Sequence, residues 1–229
     1  MALLHDFLHL FYPELCLACS SALFQNENLV CTRCLARLPY TAYETMQPNK
    51  TEKLFWGRVP LHKASSLFFF TKGSRIQVLM HALKYQGRKD VGVFLGERMF
   101  YRLQEVQWLD DIDVLIPVPL HPDKRKKRGY NQAELIAQGL CNSSGIPHDY
   151  QTLQRVRFTE TQTKKSRMER FENMQDVFEV KDFEAIRGKR VLLIDDIITT
   201  GATLEACAIV LLDSGAASVA VATLACTFT

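Results

Sequence analysis

No stretch of about 18 apolar residues occurs in this chain, so none of its helices is expected to span a bilayer. A dominant charge of one sign is missing too. The 28 Lys and Arg stand against 25 Asp and Glu, a formal net charge of +3, so affinity for a polyanion would have to come from local clusters. The nucleotide-gripping Gly-x-x-x-x-Gly-Lys-[Ser/Thr] loop occurs nowhere. The stretch Met1 to Leu10 is apolar but broken by His5, Asp6 and His9 and has no basic leader. That argues against a secretory signal and for a cytoplasmic protein. Leu3, Leu4, Phe7, Leu8 and Phe11 are spaced as one face of a short amphipathic helix. What remains is an ordinary globular composition, 47% hydrophobic and 23% charged over 229 residues, enough for one main domain and a small appendage.

Seven cysteines are present, and four form a pattern: Cys16-Leu-Ala-Cys19 and Cys31-Thr-Arg-Cys34. Each Cys-x-x-Cys lets two thiolates converge on one ion, and two such knuckles complete a closed tetrahedral site for a structural zinc. Disulfides fit poorly with the missing secretion signal, and a redox pair would be expected beside a βαβ pattern that is not found here. The polar segment between the knuckles is too short to fold unaided, so zinc would supply its folding energy, on the order of 10–16 kcal/mol. Cys141, Cys207 and Cys226 lie in apolar surroundings and read as small core residues.

Along the chain, residues 1–39 read as the helix and zinc module. Residues 40–63 are polar and irregular, a linker or flap, and residues 64–229 form the main domain. In that domain Leu67–Phe70, Asp113–Leu120, Arg190–Ile194 and Ser218–Ala225 have the composition of buried strands. Helical periodicity covers 76–85, 91–106, 131–141 and 203–213. Strands alternating with helices predict an α/β fold, a mostly parallel sheet with helices on both faces.

The most informative segment is Val191-Leu-Leu-Ile-Asp195-Asp196-Ile-Ile-Thr199-Thr200-Gly201-Ala202-Thr203. A buried strand meets two carboxylates, then small hydroxyl residues and a glycine, then a helix start. Ligands of open α/β sheets sit beyond the carboxyl ends of strands, and free amides at a helix start cradle phosphate. Adjacent acids repel a phosphate but accept hydrogen bonds from sugar hydroxyls, with or without a bridging Mg²⁺. Together they describe a site for a phosphorylated pentose. A buried strand ending in a polar turn, a response-regulator strand and a Walker B strand are the competing readings. The acids come too late in the chain for the second, and the missing nucleotide loop weighs against the third.

Two more loops bear on this site. After the strand at 113–119 come Pro117, Val118, Pro119 and Leu120, then five consecutive cations, Lys124, Arg125, Lys126, Lys127 and Arg128. Such a run suits a pyrophosphate, a nucleic-acid backbone or plain solvation. Residues 155–173 are cationic and hydroxyl-rich, with Arg157, Lys164, Arg167 and Arg170. A lid of that kind stabilises a departing pyrophosphate and excludes water, while the bland alternative is an exposed surface loop.

The segment 191–203 resembles the phosphoribosyl-pyrophosphate (PRPP) signature of type I phosphoribosyltransferases. With Leu83-Lys84-Tyr85-x-Gly87, Arg128-Gly-Tyr-Asn-Gln132, 162–173 and the four patterned cysteines, nearly the whole chain resembles the ComF/GntX family. The resemblance implies the type I fold with an N-terminal zinc ribbon. It implies that Asp195 and Asp196 meet the ribose hydroxyls and that Thr199, Thr200, Gly201, Ala202 and Thr203 wrap the 5′-phosphate. It implies that Pro117–Leu120, with Arg128, forms the pyrophosphate loop. It also implies a role in natural competence, with single-stranded DNA and the uptake machinery as partners. Lys165 stands where the family usually has leucine, and Asp176-Val177 where Gly-Ala is common.

Three functions follow. The first is a Mg²⁺-dependent phosphoribosyltransferase whose acceptor the sequence does not name. The second is a nucleic-acid module that binds single strands through the zinc ribbon and Lys124–Arg128, with PRPP as a regulator. The third is a zinc-stapled scaffold that recruits partners through its N-terminal helix.

Overall fold

A computed structural model describes residues 13–156 and 177–228. The amphipathic helix expected before Phe11, and Arg157, Lys164, Arg167 and Arg170 of the expected lid, lie outside these residues. The strands are β1 (Lys63–Phe69), β2 (Val114–Pro117), β3 (Leu153–Arg155), β4 (Phe178–Val180), β5 (Arg190–Ile198) and β6 (Ser218–Cys226). The longer helices are α1 (Arg75–Tyr85), α2 (Lys89–Glu105), α3 (Pro122–Arg128), α4 (Gln132–Ser144) and α5 (Ala202–Asp213).

Four strands pair in the order β1-β6-β5-β2, all parallel, and β3 and β4 make a separate antiparallel ribbon. The expected mostly parallel sheet is therefore present. Strands buried on both faces need apolar residues at every position, which is why β5 opens Val-Leu-Leu-Ile and β6 reads almost without a polar residue. Alternate side chains of β5 enter different cores. Leu192 and Ile194 pack with α1, α2 and α4, whereas Val191 and Leu193 pack with α5 and the β3/β4 ribbon. Helices α2 and α4 cross backbone to backbone. A Cβ on Gly96 would sit 2.1 Å from the Ile136 carbonyl oxygen, and one on Gly139 would sit 2.0 Å from that of Val93.

Three sequence expectations change. Strand β5 does not end at Ile194 but runs through both acids to Ile198, because β6 continues alongside it, pairing Asp195 with Thr223 and Ile198 with Cys226. On the other side β2 stops at Pro117, opposite Ile194. A proline cannot extend the ladder, so the acids lie on an overhang beside the Val118–Leu120 loop.

The cationic run is a helix, not a loop. Pro122 occupies its first turn, the His121 ring accepts from the Asp123 amide at 3.2 Å, and Gly129 closes it at φ +79°. Four of its five cations, Arg125, Lys126, Lys127 and Arg128, fall in the last turn, where the helix dipole favours positive charge.

The segment 40–63 is not a free linker, for its polar residues are caps and edge partners. The Asn49 side chain accepts from the Thr51 and Glu52 amides at 2.8 and 3.0 Å and donates to the Ala64 carbonyl at 2.8 Å. Tyr43, Thr51, Phe55 and Val59 are buried. The Thr41 amide and the Pro39 carbonyl hydrogen-bond to β1, covering an edge that would otherwise be open.

Candidate phosphoribosyl site and cysteine cluster

Because the acids sit within a strand, their side chains leave on opposite faces of the sheet. Asp196 Oδ2 meets Lys84 Nζ, from the last turn of α1, at 2.7 Å. Asp195 is on the α5 side, where its Oδ1 accepts from the Asp196 amide at 2.8 Å. Burial, then the charge of Asp196, pushes the Asp195 carboxyl up to about 7, against the pull of that amide, Lys84 and Lys124. Burial pushes the nearby Cys207 thiol up as well, and the Asp195 charge adds to the effect.

Past Ile198 the chain turns through exposed Thr199 and Thr200 to Gly201 at φ +77°, and α5 begins at Ala202. The N-cap Gly201 brings no side chain, and only Thr200 Oγ1 accepts from the Ala202 amide, at 3.5 Å, so the first turn keeps amides available to an anion. Two residues that the sequence did not single out shape the turn. Arg58 donates to the Thr200 carbonyl at 3.1 Å and to the Leu54 carbonyl at 2.9 Å, and pairs with Glu205 on the first turn of α5. The left-handed backbone at Gly201 favours glycine, and the Phe55 ring, 3.1 Å from where a Cβ would stand, would have to give way to a larger residue. Arg58 and Thr200 are 142 residues apart, and nothing local betrays the pairing.

Pro117, Val118, Pro119 and Leu120 adjoin the acids: the Val118 amide donates to the Ile194 carbonyl at 2.8 Å. Asn131 Nδ2 holds the Val118 carbonyl at 2.9 Å, and the neighbouring Tyr130 hydroxyl donates to the Leu83 carbonyl. Of the five cations, two are engaged. Arg125 pairs with Glu134 at 2.7 Å, while Arg128 donates to Gln132 at 2.8 Å and stacks 5.6 Å over the Tyr85 ring. Lys124, Lys126 and Lys127 are exposed and make no ion pair among the described residues. The acids, the Thr199–Thr203 turn and the Val118–Leu120 loop thus meet at one edge of the sheet.

The Sγ atoms of Cys16, Cys19, Cys31 and Cys34 lie within 4.8 Å of one another, and those of Cys19 and Cys31 are 3.8 Å apart. Bonds of about 2.3 Å to a tetrahedral zinc give an edge of roughly 3.8 Å, so the donor set and its size fit that ion. The Cys31 amide donates to Cys16 Sγ at 3.3 Å and Arg75 Nε to Cys34 Sγ at 3.2 Å, contacts that orient thiolate ligands. Burial pushes the Cys34 thiol up to about 12, and only a cation would hold it ionised. Arg75 begins α1 and Lys84 nears its end, so one helix runs roughly 13 Å from the cluster to the acids.

A family model described as the phosphoribosyl transferase domain matches residues 126–226, covering α4, the ribbon, β5, α5 and β6. The acid-bearing strand and the turn after it therefore lie in a segment similar to a phosphoribosyl transferase domain. The chain is 34% identical over 152 residues to the DNA utilization protein YhgH of Salmonella typhimurium, covering 64% of this chain and 65% of that protein. It is 30% identical over 134 residues to competence protein F of Haemophilus influenzae, covering 57% and 58%. It is 42% identical over 105 residues to competence protein ComFC of Bacillus subtilis, covering 46% and 40%. The chain is thus similar to competence and DNA-utilization proteins, each over part of its length. The alignments span about two thirds or less of these relatives. Among the described residues no helix is long and apolar enough to cross a membrane.

Proposed function

We propose that this protein binds PRPP at the carboxyl edge of its sheet and serves the cytoplasmic handling of incoming single-stranded DNA in natural competence. Asp195 and Asp196 hold the ribose hydroxyls, Thr199 to Thr203 hold the 5′-phosphate, and Pro117 to Leu120 frame the diphosphate. Arg157, Lys164, Arg167 and Arg170 are the cations assigned to closing over it. One observation carries this reading: the acid pair, an uncapped helix start and a proline-ended loop share one edge, joined directly by the Val118–Ile194 hydrogen bond. Phosphate oxygens, waters and ribose hydroxyls suit the octahedral oxygen shell of Mg²⁺, which would come in with the diphosphate and neutralise it. Zinc on Cys16, Cys19, Cys31 and Cys34 serves as a structural staple. The names of the relatives support the DNA role.

The decisive test is calorimetric titration of PRPP with Mg²⁺ into the wild type, Asp195→Asn and Asp196→Asn. Each substitution removes an acceptor of charge-assisted hydrogen bonds and is expected to weaken binding about 10- to 100-fold. Equal affinity in all three proteins would refute the assignment. A transferase reaction requires in addition that pyrophosphate be released in the presence of an acceptor.

The uncommitted ammonium groups of Lys124, Lys126 and Lys127 favour a second surface, for a nucleic-acid backbone. Its binding is expected to be weak and to fall steeply with salt, and to be lost on neutralising those lysines while PRPP binding stays.

A further inference from the structure

The motif Leu83-Lys84-Tyr85-x-Gly87 adjoins the site through Lys84, which has so far been given no ligand to hold. Lys84 lies in the last turn of α1, where the helix dipole favours a cation, and its side chain is only 17% exposed. Its ammonium reaches Asp196 at 2.7 Å. Two consecutive residues fix where this turn lies. Tyr130 bonds the carbonyl of Leu83, and Asn131 bonds the carbonyl of Val118 in the proline-rich loop. One short stretch of chain therefore fastens the backbone before Lys84 to the loop on which a diphosphate would rest. Gly87, at φ +71°, lets the chain reverse directly after the helix, and Lys89 then lies 5.3 Å over the Tyr130 ring.

We infer that Lys84 is a ligand of the diphosphate, held by Asp196 in the free protein and shared with the incoming anion when PRPP binds. The inference rests on the PRPP reading above. Lys84 carries three donors, of which the carboxylate takes one. A diphosphate resting on the Val118–Leu120 loop would lie beside the acids, since the Val118 amide is bonded to the Ile194 carbonyl, and Lys84 reaches the same edge at Asp196. Two nearby cations are committed elsewhere, Arg128 to Gln132 and the Tyr85 ring and Arg125 to Glu134, whereas Lys124, whose charge acts on Asp195, stays exposed. The competing role for Lys84 is positional, fixing Asp196 for the sugar and never touching the diphosphate. The two roles differ in which half of PRPP loses affinity.

The test titrates Mg²⁺–PRPP, Mg²⁺–pyrophosphate and ribose 5-phosphate into the full-length wild type, Lys84→Gln and Asp196→Asn. Lys84→Gln is expected to weaken PRPP and pyrophosphate by about tenfold or more while ribose 5-phosphate stays within about threefold. Asp196→Asn is expected to weaken PRPP and ribose 5-phosphate and spare pyrophosphate. Unchanged pyrophosphate affinity in Lys84→Gln, or equal losses for pyrophosphate and ribose 5-phosphate, would overturn the inference. A wild type that binds none of the three contradicts the PRPP reading itself. If Lys84→Gln folds poorly, the neutral pair Lys84→Gln/Asp196→Asn, set against Asp196→Asn alone, reads the same difference.

Discussion

The cysteine cluster and the acid-bearing edge are assembled in opposite ways. The cluster takes all four of its ligands from Cys16 to Cys34, and its geometry follows from two local turns. The edge draws on Arg58, Lys84, Val118, Asn131 and the run from Asp195 to Thr203, brought together only when the sheet forms. A site closed by local chain is stapled by its ligand, whereas a site closed by topology is held by the core. The first should fail when its ion is removed, and the second when one of its long-range ties is cut.

Removing the metal should give the largest effect. Cys31→Ser, or a strong chelator, is expected to abolish stoichiometric zinc and cost many kcal/mol of folding energy in residues 13–39, seen as loss of amide protection there. PRPP affinity should fall far less, because α1 is seated in the main core through Ile76, Leu79 and Leu83. Equal loss at both places would erase the distinction between the two plans.

Next in size is Arg58→Ala. It removes the tie from the segment 40–63 to the Thr200 carbonyl and Glu205, leaving the phosphate turn to sample other conformations. A reduction of about tenfold in affinity for PRPP and ribose 5-phosphate is expected, with pyrophosphate binding unaffected. If pyrophosphate binding fell in parallel, Arg58 would be supporting the whole edge rather than the turn.

The remaining effect is on stability without ligand. The carboxyl of Asp195 is raised from its ordinary value to about 7, so the folded protein keeps a proton that the unfolded chain releases. Through this group, stability therefore falls as pH rises from about 4 to 7, and it is highest below the unfolded pKa. Denaturant unfolding of Asp195→Asn should lack that component of the slope and should show a protein at least as stable as the wild type at neutral pH.

Much of this was legible beforehand, and the reason is spacing. Val191 to Thr203 carries strand, acids, turn and helix in one continuous run, and the Cys-x-x-Cys pairs carry their own geometry. The parallel order of the sheet followed from alternating strand and helix patterns. Three features were hidden for physical reasons. The true end of β5 depends on β6 running further than β2, which is a property of the neighbours and not of the acids. The polar segment 40–63 looked like a linker because its buried polar groups meet distant partners, such as Ser66 Oγ for Thr51 at 3.0 Å and Arg102 for Glu44 Oε1 at 2.5 Å. Lys84 and Arg58 were hidden because a single cation in a helix or turn carries no sign of which carboxylate or carbonyl it will meet.

The most direct measurement is PRPP affinity between pH 6 and 8 for the wild type and Asp195→Asn, with proton release followed in buffers of different ionisation enthalpy. If the ribose rests on Asp195, that carboxyl must ionise on binding. Wild-type affinity should then rise with pH and up to one additional proton should be released relative to the variant. Identical affinities and identical proton release in the two proteins would contradict the placement of the sugar on the acid pair.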